Sequence, residues 1–197
     1  MASLRVAVIA SLIQLAFASS AESQITVALG LRSDRYFGSA AIAQPDGGVG
    51  VPVRPLRPDV AELSVHRKFG VVTLGLVGAY FKTGFAGESE DVVIQPNDIF
   101  NVKEVAIEAG LSLTPQVRVS VGPIISTWNR EDVTTQTVFG AQLAVDFEAG
   151  LGGGFSAYGR VAVAALRSPF PADQLEPDQV GNGLRRRGLS AGIRLAL

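Results

Sequence analysis

Charged residues at alternate positions are the first candidates for chemistry in this chain of 197 residues. In "KEVAIEAGLSLTPQVRVSVGPII", which begins at Lys103, the residues Glu104, Glu108 and Arg118 are spaced among valine, leucine and isoleucine. Neighbouring carboxylates can act as a general acid and base, and arginine beside them can bind an anion or form an ion pair. Which role applies depends on the elements that carry these charges.

The composition excludes several kinds of site. The chain has no cysteine and one histidine, so thiol catalysis, disulfides and cysteine-ligated metals are excluded, and we expect neither a metal nor a cofactor. The acidic run Glu88, Glu90 and Asp91 is interpreted as a solvated loop, with weak calcium binding as the alternative. A net charge of −1 lacks the basic surface needed for nucleic acid, so no nucleic-acid partner is expected.

The alternation has the period of a β-strand. In "QITVALGLR", Ile25, Val27 and Leu29 share one face while the residues between them share the other. No run after residue 22 approaches the ~20 consecutive apolar residues of a membrane helix. The sequence therefore predicts an all-β fold with eight strands: "QITVALGLR", "VAELSVHRK", "VVTLGLVGAYFK", "KEVAIEAGLSL", "VRVSVGPII", "TVFGAQLAVDFEA", "FSAYGRVAVAAL" and "RGLSAGIRLAL".

Long and short connections alternate along the chain. This predicts an up-and-down antiparallel arrangement with four longer loops at one end, including a loop centred near Asp132 between strands five and six, and tight turns such as "GLGGG" at the other. At the N-terminus, "MASLR", "VAVIASLIQLAFA" and "AFASSAES" predict a signal peptide over residues 1–21. Cleavage after Ala21 is preferred to cleavage after Ala18, which leaves residues 22–197 as one domain.

The two faces of the predicted strands differ in composition. One is apolar, with Tyr80 and Phe139 toward the long loops and Phe147 and Phe155 toward the turns. The other is rich in Gly, Ala and Ser with isolated charges, whereas a soluble barrel would show water a dense charged face. This contrast predicts lipid outside and a narrow enclosed lumen. The leading alternative is a secreted or periplasmic soluble β-barrel that binds an apolar ligand.

If the apolar face meets lipid, the alternate charges line the interior. Their balanced signs predict an ion-pair network: Arg32, Glu62, Glu104, Glu108, Arg118, Asp146, Arg160 and Arg194. Within it we expect Arg118 opposite Asp146 with Glu108 nearby, and loose pairing through internal water is the alternative. The lumen also carries inward glycines: Gly30, Gly110, Gly122, Gly140 and Gly192. Because these leave volume unfilled, a narrow pore is an alternative function.

Together, the signal peptide, the eight strands and the long loops resemble the small OmpA/OmpX-type outer-membrane barrels. The resemblance implies an eight-stranded antiparallel up-and-down transmembrane β-barrel in the outer membrane of a Gram-negative bacterium, with a structural or surface-interaction role. The terminal "GLSAGIRLAL" resembles the signal that such barrels present to the barrel assembly machinery, although it ends at Leu197 where the family usually has an aromatic residue.

The resemblance also bears on activity and partners. A few barrels of similar architecture act on lipid A with a histidine near the extracellular side, but His66 lies beside the "KFG" turn and is expected at the periplasmic rim. We therefore expect no enzymatic activity. The long loops are the expected contact surface. Besides membrane lipid, lipopolysaccharide is a candidate partner for the arginines that end the last loop: Arg185, Arg186 and Arg187.

Overall fold

The computed structural model describes residues 24–37, 40–42, 50–87, 99–130, 133–170, 172–178 and 183–197. The predicted signal peptide and the acidic run at Glu88, Glu90 and Asp91 lie outside these residues. Within the described ranges, no helix has the length and apolar character needed to cross a membrane. The strands of the described ranges are β1 Gln24–Phe37, β2 Ala40–Ile42, β3 Val51–Pro55, β4 Asp59–Phe69, β5 Val72–Thr83, β6 Phe85–Gly87, β7 Phe100–Ser112, β8 Val117–Arg130, β9 Val133–Gly152, β10 Phe155–Arg167 and β11 Gly183–Ala196, with a 3-10 turn at Ala172–Gln174.

Eight of these strands close into one antiparallel barrel in the order β1-β11-β10-β9-β8-β7-β5-β4. Each barrel strand pairs with the next barrel strand along the chain, and β1 closes the ring by pairing with β11 from Thr26↔Ala196 to Phe37↔Arg185. The short strands β2, β3 and β6 form a separate three-stranded sheet. The predicted eight-stranded up-and-down barrel is confirmed.

Tight turns join the barrel strands at one end, as the sequence predicts. Gly70 between β4 and β5 has φ 61°, and Gly153 and Gly154 between β9 and β10 have φ 61° and 81°. This left-handed conformation is accessible to glycine without the steric cost of a Cβ atom. Between β7 and β8, the Thr114 hydroxyl accepts hydrogen bonds from the backbone N–H groups of Gln116 and Val117.

The connection between β8 and β9 is shorter than the predicted long loop. The two strands remain paired as far as Arg130↔Val133, so residues 131–132 alone separate them, and three long connections replace the predicted four. The last apolar outward residue of strand five is Ile125, and the outward residues beyond it, Thr127 and Asn129, are polar. The hairpin continues past the apolar surface of the barrel, where outward residues no longer need to be apolar.

The outward face of the barrel is apolar and exposed. Leu31, Ile107 and Leu189 are 74%, 50% and 64% exposed, while the residues between outward positions are buried along most of each strand. We call the outward-facing apolar residues of the barrel strands the apolar belt. The four predicted aromatic residues are also on this face: Tyr80, Phe139, Phe147 and Phe155. This contradicts the alternative of a soluble barrel with a buried apolar face.

The belt predicts how arginine substitutions depend on depth. Ile107 lies near mid-height of the belt on β7, whereas Leu113 follows the last residue of that strand at the turn end and is 65% exposed. We expect Ile107→Arg to lower the free energy of unfolding by ~2–4 kcal/mol and Leu113→Arg by ~0–1 kcal/mol, because arginine is costly at the bilayer centre and tolerated at its edge. Urea unfolding in phospholipid vesicles measures both. Equal small effects would contradict lipid contact.

Candidate functional site in the barrel interior

The barrel interior is the candidate site because charged side chains converge there. Among the described residues, five arginines and five carboxylates are buried: Arg32, Arg118, Arg160, Arg186, Arg194, Asp34, Glu62, Glu104, Glu108 and Asp146. All eight residues of the predicted lumen set are included. Each sits on the inward face because side chains alternate along a strand. The signs balance, so the interior carries no excess of these charges.

The half of the network nearer the long loops is centred on Arg32. Its guanidinium nitrogens contact three carboxylates, with N···O distances of 2.9 Å to Asp34, 3.0 Å to Glu62 and 2.9 Å to Glu104. Glu104 also accepts hydrogen bonds from Arg186 and, at 3.3 Å, from the Ser126 hydroxyl. These five charged residues, Arg32, Asp34, Glu62, Glu104 and Arg186, are the loop-side cluster.

The half nearer the turns contains a second group, Glu108, Arg118, Asp146, Arg160 and Arg194, which we call the turn-side cluster. Asp146 lies 2.9 Å from Arg118, 3.5 Å from Arg160 and 3.6 Å from Arg194. Glu108 accepts hydrogen bonds from both terminal nitrogens of Arg160. Bidentate arginine–carboxylate bonds of this kind are geometrically specific.

The predicted grouping of Glu108, Arg118 and Asp146 differs in its contacts. The register places Arg118 directly opposite Asp146, the neighbour expected from the sequence. Glu108 is instead bound by Arg160, and only His66 lies between it and Arg118, at 3.5 Å and 3.3 Å. Sequence reasoning gave cross-strand neighbours, whereas the Arg160–Glu108 contact spans the lumen.

A neutral amide joins the two clusters. The Gln142 side chain donates a hydrogen bond to Glu108 at 2.6 Å and accepts one from Arg186 at 3.2 Å. An amide can do both because its nitrogen donates and its oxygen accepts. Gln142 is itself buried at 4% exposure. The interior is therefore one continuous hydrogen-bonded network along the barrel axis.

One predicted placement is wrong, and another differs in depth. Arg186 was a candidate for lipopolysaccharide contact, but it is 1% exposed and pairs with Glu104. The period of two explains this, since the middle of three consecutive arginines must face inward when Arg185 and Arg187 face outward. His66 lies on the turn side of the barrel, as expected, and lines a polar cavity at that end, but it is 3% exposed and lies inside the rim, between Glu108 and Arg118.

Asp34 was missed by the sequence analysis. The predicted first strand stops at Arg32, whereas β1 continues to Phe37, so Asp34 and Tyr36 extend the inward series. The alternation "RSDRYF" carries this signal, but its first two outward residues, Ser33 and Arg35, are polar.

The loop end of the lumen is filled by an apolar cluster that the sequence analysis also missed. This apolar cap consists of Tyr36, Val53, Val60, Val77, Phe81, Phe85, Val102, Ala106, Ile124, Trp128, Val138, Leu166, Leu175 and Leu184. Trp128 is 1% exposed and packs against Phe81 and Phe85 with ring centroids 6.3 and 5.8 Å apart. Val53 and Phe85 come from the small β2–β3–β6 sheet, so segments of the long connections fold into the mouth.

The turn end holds a polar cavity of about 110 Å³, lined in part by His66, Lys68, Arg118, Glu148 and Arg194. Ligand pockets for drug-sized molecules occupy ~300–1,000 Å³, so this cavity fits only water or a small ion.

The inward glycines do not leave the free volume expected of them at mid-barrel. A Cβ atom at Gly30 would lie 2.1 Å from the Tyr158 hydroxyl, and one at Gly192 would lie 2.8 Å from the Tyr158 ring. These two glycines make room for Tyr158, which is itself buried.

Comparison with known proteins identifies the class by fold. No family model and no curated protein matches the sequence. The structure is similar to the outer membrane protein AlkL in lipid bilayers, with a TM-score of 0.62 and 9% identity over 91% of this chain and 94% of that one. It is also similar to OprG from Pseudomonas aeruginosa, with a TM-score of 0.52 and 12% identity over 89% and 96% of the two chains.

A third similar structure is Neisserial surface protein A, with a TM-score of 0.50 and 10% identity over 89% of this chain and 99% of that one. At such low identities the likeness concerns the fold. This chain has the fold of the small eight-stranded outer-membrane β-barrels.

The difference in burial between two lumen glutamates predicts that the same Glu→Gln substitution lowers the free energy of unfolding by different amounts. Glu108 and Glu148 each accept a hydrogen bond from an arginine, but the Glu108 side chain is 1% exposed and the Glu148 side chain 33%. We expect Glu108→Gln to lower the free energy of unfolding by ~3–5 kcal/mol, because it removes the carboxylate that binds both terminal nitrogens of buried Arg160 and leaves that arginine only the more distant Asp146. Glu148→Gln is the matched control, with an expected loss of ~0–1 kcal/mol. Similar losses in urea unfolding would contradict a tightly paired interior.

Proposed function

We propose that this protein is an integral outer-membrane barrel with a closed lumen, whose role is structural or to contact partners at its loop side. The supporting observation is the division of side chains: the apolar belt faces outward, and the paired charges fill the interior. Exposed Leu31 and Leu189 suit hydrocarbon, because about 25 cal/mol is gained for each Å² of apolar surface removed from water. Buried charges need partners inside the protein, and the two clusters supply them.

Two barriers in series support a closed lumen. An ion entering from the turn end reaches the small polar cavity and then the paired clusters, where separating one buried pair costs ~3–5 kcal/mol. Beyond them the apolar cap offers few polar groups to replace lost hydration. Ile124 and Trp128 in the cap are 0% and 1% exposed. The same network that holds the barrel together therefore opposes passage through it.

The loop side is proposed as the contact surface. β3 and β6 are anchored through Val53 and Phe85 in the apolar cap, so the small sheet is held on a rigid base. Exposed Arg54, Leu56 and Arg57 lie at or beside β3 and offer both charge and apolar area to a partner. Such groups presented by loops on a rigid scaffold are typical of binding surfaces.

The proposal includes contact with the assembly machinery during insertion. β11 presents alternate apolar side chains outward, among them Leu189 and Ile193, up to Leu197.

We also propose that the protein has no enzymatic activity, because His66 lies between Glu108 and Arg118 with 3% of its surface exposed and is poorly placed to meet a substrate.

Cell fractionation tests the membrane placement. We expect the expressed chain in the outer-membrane fraction, extracted only by detergent, and migrating faster on gels when unheated, because a closed barrel resists unfolding by detergent at room temperature. Heating should abolish the difference. A chain that remains soluble and monomeric in the periplasm without detergent would contradict the proposal.

A narrow pore is the second candidate, favoured by the charged cavity at the turn end, where Lys68 and Arg194 line an opening to solvent. Recording across planar bilayers separates the two functions. A closed lumen predicts no steady conductance for the wild-type protein, and none for Trp128→Ala combined with Phe85→Ala, because the paired clusters remain as the second barrier. Steady wild-type conductance that changes with Glu108→Gln would favour the pore instead.

A further inference from the structure

The outer surface of the barrel carries a groove of about 580 Å³ that the closed-lumen function does not use. Its floor is formed where small side chains interrupt the apolar belt. Ala141 on β9 lies opposite Ala165 on β10, and the next outward pair along these strands is Leu143 and Val163. The groove is open to the outer surface of the barrel. Its volume is within the range of drug-sized ligand sites. We call it the outer groove.

Arginines border the outer groove on its loop side. Arg185 lies opposite Ala165, and Arg187 lies opposite Val163 on one side and Arg35 on the other. Arg35, Arg185 and Arg187 are outward-facing and exposed, and they form the arginine rim. No member of the rim forms an ion pair with a described residue.

The arginine rim concentrates positive charge. Like charges directly opposite each other on paired strands are destabilising, and Arg35 faces Arg187 in this way. Phe37 offsets part of the cost, since its ring centroid lies 5.2 Å from the Arg35 guanidinium carbon and 4.7 Å from that of Arg187. The aromatic ring also holds the two guanidinium groups near each other. An anion bound between them would remove the remaining repulsion.

The depth of the rim indicates which part of a lipid it meets. From Arg187 to Leu197 the chain advances ten residues, which is ~33 Å of strand and ~25 Å along the membrane normal at a tilt of ~40°. The apolar band of outer-membrane barrels is also about 25 Å tall. The arginine rim therefore lies at the loop-side boundary of the hydrocarbon, where headgroup phosphates lie, and the outer groove runs below it at acyl-chain depth.

We propose that the arginine rim and the outer groove form a binding site for lipid A, with its phosphates on Arg35, Arg185 and Arg187 and an acyl chain in the groove between Ala141 and Ala165. Guanidinium groups suit phosphate because they bind it through two parallel hydrogen bonds. The inference rests on the proposed membrane placement, which sets the loop side in the outer leaflet. It accounts for arginines that have no ion pair among the described residues and border an apolar groove.

Native mass spectrometry of the barrel in phosphatidylcholine nanodiscs tests the site. The probes are bisphosphorylated lipid A, the same lipid with both phosphates removed, and phosphatidylglycerol. We expect bisphosphorylated lipid A to be retained at least tenfold more than either of the other two. Equal retention of dephosphorylated lipid A would overturn the role of the rim, and equal retention of phosphatidylglycerol would overturn the choice of lipid A.

Two sets of variants test separately how the arginine rim and the outer groove contribute to lipid A retention. The triple variant R35Q, R185Q and R187Q should lose at least tenfold in lipid A retention, whereas K82Q with K103Q, which removes outward charges on β5 and β7, should not. Filling the groove with A141L and A165L should lower retention of bisphosphorylated lipid A about tenfold. Ala109→Leu, at an exposed outward alanine on β7, is the matched control. Unchanged retention in either test set would overturn the site.

Heat-dependent gel migration of every variant in the nanodiscs is measured first. A wild-type chain that does not insert would contradict the proposed function and the site with it. An inserted, heat-modifiable barrel that releases lipid A as readily as phosphatidylcholine would contradict the site alone.

Discussion

Pairing of β1 with β11 is the constraint on which the rest of the structure depends. In hydrocarbon every backbone N–H and C=O must find a partner within the protein, and a closed sheet provides one for each because it has no edge. Once the ring is closed, the period of two leaves each side chain only an outward or an inward position. Apolar residues take the lipid side, as Leu31 and Ile107 do, and Arg32 and Glu108 have no place other than the lumen.

The network in the lumen follows from that division and is not evidence of great stability by itself. Removing two charges from water costs several kcal/mol each, which their attraction repays only when the geometry is good. What the network provides is mutual dependence: Gln142 ties Glu108 to Arg186, and Asp146 is shared by three arginines. A barrel with a shifted strand register would break many of these contacts together, so the buried charges favour one register of the sheet.

Period-two patterns made the strands, their faces and the Arg118–Asp146 register predictable, because these depend on neighbours within one hairpin. The missed residues share one feature, which is that they lie where strands continue past the end of their run of apolar outward residues. β1, β8, β9 and β11 continue beyond that point, so Asp34, the inward Arg186 and the Trp128 cap were lost or misplaced. Contacts across the lumen, such as Arg160 with Glu108, depend on barrel curvature and side-chain reach, which no local pattern encodes.

The polarity of the lumen changes along the barrel axis, and this change bears on which surfaces of the protein can bind partners. The turn end is polar and holds the small cavity beside Lys68, the middle is ionic, and the loop end is apolar around Trp128. An ion that the two charged clusters stabilise would lose its hydration in the apolar cap. An apolar solute that enters the apolar cap would meet the buried charges of the clusters beneath it. Because the two halves favour opposite solutes, this arrangement supports the proposed closed lumen. Under that proposal, recognition is left to the surfaces that the barrel presents outward, its loop side and its lipid-facing wall.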